Sequence, residues 1–372
     1  MGSFGLGFDF GRSFITKILG YTKSRCVNIP DYQTAMLASQ LKEQGNEVSI
    51  KEKPGNANAY YIHTSLTGYK NDIEMAKLLR NVYFFGATAQ ALPDLFDPYG
   101  KIIEVNKDQK HPAWQLYDYK KFSYFPSLKK KPIFPVVTAY GCKFKCSYCP
   151  YSSYYGEWTP RPIKDVVEEI VRNMEKFKAR GIIFRDPLFT ADKDRVMELL
   201  RWVLHYDLEF ACETRMECVD FPLLEKMKQS GCRAIHFGVE SGNADVARSV
   251  NRNFIPRKKV KGIIDYCEEI GIKTTCFFIL GFPKDTEETV QQTIDYAIEL
   301  NPNVAEFFIA TPYPGTRFSK EVEKTTDYCE MSGYRLCFKH DNFTPKRLNE
   351  IKENAYKKFY LRKEWILKFI GM

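Results

Sequence analysis

The stretch FPVVTAYGCKFKCSYCPY, residues 134–151, joins an apolar run to three closely spaced cysteines. Cys142, Cys146 and Cys149 have the spacing C-x3-C-x2-C, and no fourth ligand lies near them in the sequence. The nearest histidine before the motif is His111, and the next cysteine after it is Cys212. Three thiols spaced in this way indicate metal ligands rather than a disulfide framework.

From about residue 132 the chain alternates short apolar runs with amphipathic segments, a pattern typical of a parallel sheet built from βα units. Six strands are predicted: FPVVTAY at 134–140, GIIFRD at 181–186, LEFACET at 208–214, AIHFGVE at 234–240, TTCFFIL at 274–280 and VAEFFIA at 304–310. Apolar residues at helical spacing predict a helix over 163–177. A second helix is predicted to follow Asp285, with Glu288 closing a capping box. Six units favour an open, three-quarter barrel over the closed eight-unit kind.

Composition narrows the class of protein. A length of 372 residues suits two domains, or one large α/β unit with an appendage. The sequence has no apolar run long enough to span a membrane, and its opening residues lack the patterns of a signal peptide and of myristoylation. These observations predict a cytoplasmic protein, whose 11 cysteines stay reduced. The net charge of +9 is spread along the chain, so no nucleic-acid partner is expected.

Two kinds of metal site compete for the three cysteines. A structural zinc site is closed and four-coordinate, so it would need a ligand from a distant part of the chain. An iron–sulfur cluster fits better, because thiolates bind its irons and three cysteines leave one iron of a 4Fe–4S cluster open to another ligand. The motif also follows the first predicted strand, at the end where barrel enzymes place their chemistry.

The pattern C-x3-C-x-aromatic-C after the first strand of a six-unit array resembles the radical S-adenosylmethionine (SAM) superfamily, over about residues 132–320. The resemblance implies that Cys142, Cys146 and Cys149 hold a 4Fe–4S cluster and that its open iron chelates SAM. One electron from the reduced cluster then cleaves SAM to a 5′-deoxyadenosyl radical. An electron donor such as flavodoxin or ferredoxin is implied as a partner.

The resemblance also implies SAM-binding residues at the ends of the later strands. The candidates are Tyr148, near the adenine, Asp186 in RDPLFT, Glu213 and Arg215 in CETRMECVD, Glu240 and Ser241 in FGVESGN, and Gly281 in ILGFPKDTEE. Tyr313 in TPYPGT is predicted to face the substrate. Structural alternatives stay open for three of these sites: a turn aromatic for Tyr148, a helix cap for Asp186 and a plain ion pair for Glu213 with Arg215.

Residues 28–97 resemble the cobalamin-binding domain of B12-dependent radical SAM enzymes in the order and spacing of their elements. A helix is predicted near 32–45, with short strands at EVSI, AYYIHTS and VYFFGA. The motif D-x-H-x-x-G, whose histidine can ligate cobalt, is absent, and the usual paired glycines are reduced to Gly86. Thr64, Ser65 and Gly86 are the candidates that bound a cofactor crevice at strand ends.

These patterns predict an α/β protein with a degenerate, Rossmann-like cobalamin-binding domain at 1–125, a partial (β/α)6 radical SAM barrel at 126–325 and a helical C-terminal extension at 326–372. Only Cys329 and Cys337 follow the barrel, so a single cluster is expected. The basic, amphipathic tail from Pro345 predicts a helix that packs on the barrel, with contact to a membrane surface as the alternative.

The leading hypothesis is a cobalamin-dependent methyltransferase that acts on an unactivated carbon of a small-molecule or lipid-like substrate. Its cofactors are a 4Fe–4S cluster, SAM and cobalamin. The alternative is a radical SAM oxidoreductase or rearrangement enzyme that does not use cobalamin. A cluster-bearing binding protein without turnover is a third class, which the SAM-site candidates on five strands disfavour.

Overall fold

The computed structural model describes residues 27–124 and 127–370, and of residues 368–370 it describes the backbone alone. The predictions about the opening of the chain, namely no signal peptide and no myristoylation pattern, concern residues 1–26 and lie outside the described residues. The predicted domain boundary after residue 125 also falls in a gap of the description.

The first hundred described residues form short strands and helices around a small sheet. In chain order the elements are β1 (Val27–Asn28), α1 (Tyr32–Glu43), β2 (Tyr60–His63), α2 (Tyr69–Ala76), β3 (Val82–Phe85), α3 (Ala87–Ala91), α4 (Pro93–Phe96), β4 (Lys101–Ile102) and β5 (Ser123–Tyr124). Strands β2, β3 and β4 pair in parallel in that order, while β1 pairs with β5 in antiparallel fashion. The two strands predicted at AYYIHTS and VYFFGA are therefore β2 and β3.

The rest of the chain alternates strands and helices. In chain order it contains β6 (Ile133–Val136), β7 (Ala139–Tyr140), α5 (Pro150–Tyr155), β8 (Thr159–Pro160), α6 (Ile163–Phe177), β9 (Gly181–Phe184), α7 (Lys193–Val203), β10 (Glu209–Arg215), α8 (Phe221–Gln229), β11 (Cys232–Glu240), α9 (Ala244–Ser249), α10 (Arg257–Glu269), β12 (Lys273–Leu280), α11 (Glu287–Leu300), β13 (Val304–Ile309), α12 (Arg317–Glu321), α13 (Pro345–Tyr360) and α14 (Lys363–Ile370). Short 3-10 helices lie at Trp114–Leu116, Tyr119–Lys121, Met216–Cys218 and Tyr328–Glu330.

The large sheet has six parallel strands in the order β6-β9-β10-β11-β12-β13. Each strand pairs with the next strand of the βα series, so all six carboxyl ends lie along one edge of the sheet. Among the described residues no pairing joins β6 to β13, and the sheet is therefore open. The α/β architecture with a parallel sheet is confirmed.

Alternate strand residues pack against helices and form the main core. Val136, Phe184, Phe210, Cys212, Phe237, Cys276, Phe278 and Phe307 all point to this side and are almost fully buried. The predicted stripe of α6 contributes Val166 and Ile170 to the same core. The isolated cysteines Cys232, Cys267 and Cys276 are buried core residues, as their apolar surroundings in the sequence predict.

Helix α1 packs with the large sheet rather than with the small one. Tyr32 and Met36 share a core with Trp114, Phe134 and Phe177. The hydroxyl of Tyr32 donates to the fully buried carboxylate of Glu169 at 3.0 Å, and Arg161 forms an ion pair with that carboxylate at 2.8 Å. Packing therefore does not follow chain order, and the predicted division into domains stays a prediction.

Two local predictions were wrong. The described residues 47–50, EVSI, form no strand. The capping box of α11 is made by Thr286 and Thr289 rather than by Asp285 and Glu288. Asp285 stands one residue earlier, where its carboxylate accepts hydrogen bonds from the loop after β12.

The C-terminal tail is two helices rather than one, and α13 packs on β13, as the sequence predicts for the tail. No helix in the described part of the chain is both long and apolar enough to cross a membrane.

Candidate active site

The cysteine loop, residues 141–149, connects β7 to α5 at the carboxyl edge of the large sheet. Cys142, Cys146 and Cys149 are all free thiols and half-buried. The sulfur of Cys142 accepts the N–H of Phe144 at 3.5 Å, and the sulfur of Cys146 accepts Nη1 of Arg215 at 3.6 Å. Burial raises the pKa of Cys149 to about 12, so this thiol ionises only when a cation binds it.

Close packing fixes the path of the cysteine loop. Gly141 has a φ of +70°, and a Cβ atom there would stand 2.1 Å from the carbonyl oxygen of Glu157, so only glycine fits. The N–H of Ser147 donates to the carbonyl of Val250 at 3.0 Å, and the carbonyl of Ser147 accepts the N–H of Phe318 at 2.9 Å. Segments after β11 and β13 thereby hold the middle of the loop.

The arrangement of the thiols bears on the kind of metal they can hold. Across residues 27–124 and 127–370, no three His, Cys, Asp or Glu side chains stand close enough together to hold one metal ion. A closed zinc site is therefore not preformed. Three cysteines in one loop, with N–H donors on two of the sulfurs, match the thiolate ligands of an iron–sulfur cluster.

Arg215, at the end of β10, lies against the cysteine loop. Its side chain is buried, and its guanidinium carbon stands 3.6 Å from the centre of the Phe144 ring. On the other side it forms an ion pair with Glu217 in the 3-10 helix after β10. The guanidinium is thus shared between the cysteine loop and Glu217. Its contact with a SAM carboxylate stays a prediction.

Tyr148 lies beside a second buried pair of charged residues, Glu240 and Arg252. The Tyr148 hydroxyl hydrogen-bonds the carboxylate of Glu240, which lies 3.8 Å from Nη2 of Arg252. Glu240 has a φ of +70°, in the left-handed region that a side chain rarely adopts. Burial raises the pKa of Glu240, and the charge of Arg252 opposes that rise. The ring of Tyr148 packs on Phe282, with ring centres 5.2 Å apart.

Asp186 is fully buried just after β9, and its carboxylate faces backbone N–H groups rather than open space. Its carboxylate accepts the N–H groups of Thr138 and Ala139, the first at 2.9 Å, and the hydroxyl of Thr138 at 3.2 Å. These contacts fix the chain three residues before Cys142. The helix that follows is capped by Asp192 instead. A contact between Asp186 and SAM stays a prediction.

Glu213 and Arg215 are not paired with each other. Glu213 is partly exposed and lies 3.6 Å from Arg185, while Arg215 pairs with Glu217. Arg185 and Glu213 stand at the ends of neighbouring strands and face away from the helix-side core.

Ser241 and Gly281 contact the helices behind the sheet. The hydroxyl of Ser241 lies 3.3 Å from that of Thr293 in α11. A Cβ atom on Gly281, whose φ is +78°, would stand 2.5 Å from Leu348 in α13. Tyr313 is half-buried beside Leu66, and burial raises its pKa well above the usual value. The charge of Cys149 also raises the pKa of Tyr313, and the roles of all three residues stay predictions.

The predicted cobalamin crevice lies at the carboxyl ends of β2 and β3. The hydroxyl of Thr64 donates to the carbonyl of Phe85 at 3.1 Å, and the N–H of Ser65 donates to Asp72 at 3.2 Å. Gly86 has a φ of +99°, and a Cβ atom there would stand 2.6 Å from the ring of His63.

His63 occupies part of this crevice. Its Nδ1 lies 3.5 Å from the carboxylate of Asp31, and its buried Nε2 has no hydrogen-bond partner among the described residues. The crevice continues to the large sheet, because Gly86 and Gln90 line one cavity together with Tyr154 and Tyr155 of α5, the helix that begins just after Cys149. The His63 ring takes up the space beside Gly86, so binding of cobalamin in this crevice stays a prediction.

Several residues near the cysteine loop carry no sequence signal of their role. Phe144 of the loop contacts Arg215, Glu217 pairs with the same arginine, and Arg252 lies near Glu240. Cys218 is a further thiol near the loop, since the charge of Cys142 adds to the burial that raises the pKa of Cys218 to about 11. Cys218 directly follows Glu217 in the sequence, and it does not belong to the C-x3-C-x2-C spacing of the other three cysteines.

The fold and the site together define an α/β protein whose open parallel sheet carries a three-thiol site at the carboxyl edge of its strands. Residues 136–297 match the model of the radical SAM superfamily. That segment is similar to the radical SAM superfamily, and the resemblance seen in the sequence is confirmed.

Relatives and solved structures extend the comparison beyond the matched segment. An uncharacterized methyltransferase of Pyrococcus horikoshii is 28% identical over 247 residues, which cover 64% of this chain and 54% of the relative. The structure of the radical SAM methyltransferase TsrM from Kitasatospora setae, with cobalamin and a 4Fe–4S cluster bound, superposes with a TM-score of 0.64 at 15% identity over 79% of this chain and 75% of that one.

A second solved structure covers more of the chain. The cobalamin-dependent radical enzyme OxsB, with aqua-cobalamin and SAM bound, superposes with a TM-score of 0.66 at 12% identity over 90% of this chain and 65% of that one. At this identity the likeness shows the fold. The chain spans about half the length of the curated relatives it matches, with 54%, 46% and 50% for three of them.

Proposed function

We propose that the chain is a radical SAM enzyme in which Cys142, Cys146 and Cys149 hold a 4Fe–4S cluster. The observation that carries this proposal is the placement of all three cysteines in one packed loop that follows the first strand of the parallel sheet, inside the segment that matches the superfamily. When bound, such a cluster supplies the electron that cleaves SAM to a 5′-deoxyadenosyl radical.

The chain's own residues have three tasks in this proposal. The cysteine loop supplies the thiolates, and Asp186 holds the backbone that leads into it. Tyr148, Glu213, Arg215, Glu240, Ser241 and Gly281 remain the proposed SAM contacts, together with Asp186. Of these, Tyr148, Arg215 and Glu240 have the strongest support, because they contact the cysteine loop or belong to it. Tyr313 is the proposed substrate contact.

We further infer that the enzyme is a cobalamin-dependent methyltransferase. Support comes from relatives named as methyltransferases and from the cavity lined by Gly86, which reaches Tyr154 and Tyr155 of the helix after the cysteine loop. Thr64 and Ser65 remain proposed cofactor contacts beside it. In this reading residues 1–125 are a Rossmann-like cobalamin domain, 126–325 a partial (β/α)6 barrel and 326–372 a helical extension.

A second candidate is a radical SAM oxidoreductase or rearrangement enzyme without cobalamin. One observation favours it: the imidazole of His63 lies against Gly86 and fills part of the crevice. Both candidates need a small-molecule or lipid-like substrate, an electron donor such as flavodoxin or ferredoxin, and the reducing conditions of the cytoplasm.

Cobalamin retention separates the two candidates. Protein reconstituted with hydroxocobalamin should keep about one cobalt per chain through gel filtration if the methyltransferase proposal is right. Gly86→Ala should lose the cobalt, because the added Cβ meets His63 at 2.6 Å and crowds the crevice. Gly45→Ala is the matched control, since Gly45 also has a positive φ, of +86°, but no atom within 4 Å of the added Cβ. Wild-type protein that keeps its iron but no cobalt would favour the second candidate.

A further inference from the structure

The buried ion pair between Arg215 and Glu217 contacts the cysteine loop through Arg215. Arg215 is only 5% exposed, and its Nη1 is the donor to the sulfur of Cys146 at 3.6 Å. Its guanidinium carbon also stands 3.6 Å from the centre of the Phe144 ring. Both neighbours belong to the cysteine loop, so the positive charge is fixed beside the thiols.

The pair is poorly built as a fold-stabilising salt bridge. Nε of Arg215 and Oε2 of Glu217 are buried without a hydrogen-bond partner among the described residues. Buried ion pairs with unsatisfied atoms contribute little to stability, because the loss of hydration exceeds what the attraction returns. A structural role alone therefore does not account for two charges at this position.

Arg252 adds to the positive surroundings of the thiols. The residue before it, Asn251, donates its side-chain N–H to the carbonyl of Lys145 in the cysteine loop at 2.7 Å. Nη2 of Arg252 lies 3.8 Å from the carboxylate of Glu240. Each arginine near the cysteine loop is thus accompanied by one carboxylate.

We propose that Arg215 and Glu217 are positioning residues that set the reduction potential of the cluster held by the three cysteines, and this inference rests on the proposed function. Reduction adds one negative charge to the cluster. A guanidinium that donates to a ligating sulfur stabilises the added charge, while the carboxylate beside it opposes it, and low solvent exposure strengthens both effects.

The two charges predict shifts of opposite sign. The midpoint potential of the cluster is measured by EPR-monitored redox titration of the reconstituted full chain without SAM. Arg215→Gln should lower the potential, because Glu217 is left uncompensated, and Glu217→Gln should raise it, because Arg215 is left uncompensated. Arg347→Gln, which breaks an exposed pair with Glu287, is the control and should leave the potential unchanged.

The outcomes separate this inference from the proposed function. Wild-type protein that assembles no cluster would overturn both. Wild-type protein with a cluster, and variants whose potentials do not move or move in the same direction, would overturn the inference alone. If Arg215→Gln assembles no cluster, Glu217→Gln decides, since an unchanged or lower potential contradicts the proposal. A contact between Arg215 and SAM would appear separately, as weaker SAM binding by the same variant.

Discussion

Buried aspartates hold the backbone of loops that follow parallel strands. Asp72 accepts the N–H of Ser65 after β2, Asp186 accepts those of Thr138 and Ala139, and Asp285 accepts those of the loop after β12. Burial raises the pKa of each of the three carboxyls to about 6. Each aspartate therefore fixes the backbone at the functional edge of a sheet, although its burial disfavours the charged form of the carboxyl.

Asp285 gives this residue-scale effect a measurable consequence. Its folded pKa of about 6 lies above the usual 3.8, so the stability it contributes is full below pH 3.8 and is lost as the pH rises through 6. Relative to Asp285→Asn, the wild-type free energy of unfolding should fall by about 1.4 kcal/mol between pH 5 and pH 7.5. Urea unfolding of both proteins across this range measures the difference. A difference that stays constant with pH would contradict the account.

Helix α13 protects the exposed edge of the large sheet. Tyr356 accepts the N–H of Phe307 at 3.1 Å and donates to its carbonyl at 3.3 Å, and Tyr360 does the same for Ala305 at 3.2 and 2.9 Å. Two phenol groups thus replace the strand that would otherwise pair with β13. An unpaired edge invites association with other chains, and the helix removes that hazard.

Removal of one of these hydroxyl groups should weaken the element. Tyr356→Phe leaves a buried N–H and a buried carbonyl of β13 without this partner, which should cost about 1 to 3 kcal/mol of unfolding free energy. Tyr266→Phe is the matched control, because its hydroxyl donates to Glu225 in a surface pair, and it should cost about 0.5 kcal/mol or less. Urea unfolding measures both losses of unfolding free energy. Equal losses in the two variants would contradict a stabilising role for the hydrogen bonds between Tyr356 and β13.

At the same scale, strands and helices were predictable where the hydrophobic pattern is strong. The six strands of the large sheet and α6 follow from apolar runs and helical spacing, and the three cysteines follow from their mutual spacing. EVSI was misassigned, because a short alternating run is compatible with a loop. Thr286 rather than Asp285 caps α11, because the carboxylate of Asp285 accepts the N–H of Phe282 in the preceding turn.

The contacts that build the site were not predictable from local pattern. Phe144 contacts Arg215 from a distant part of the chain, while Glu217 is only two residues away but has no motif of its own. The structural alternative of an ion pair between Glu213 and Arg215 gave way to Arg185, which the sequence places on a different strand. Charge partners depend on side-chain reach at strand ends, which local pattern does not encode.

At the scale of the whole molecule, side-chain hydrogen bonds join the first part of the described chain to the part that contains the large sheet. Gln33 of α1 donates to the hydroxyl of Tyr155, and Tyr69 of α2 donates to Asp327, which follows the large sheet. The crevice at Gly86 and the thiols are thereby linked through a single helix, α5. This arrangement suits a reaction in which two cofactors act on one substrate between the units.

The most direct test of the central claim is 5′-deoxyadenosine formation by the anaerobically reconstituted, dithionite-reduced chain with SAM. Wild-type protein should form 5′-deoxyadenosine, and Cys218→Ala should do the same, because Cys218 lies near the loop but outside the motif. Cys146→Ala should form none, because it removes one of the three thiolates. Formation at the wild-type rate by Cys146→Ala, or none by wild-type protein with an intact cluster, would contradict the account.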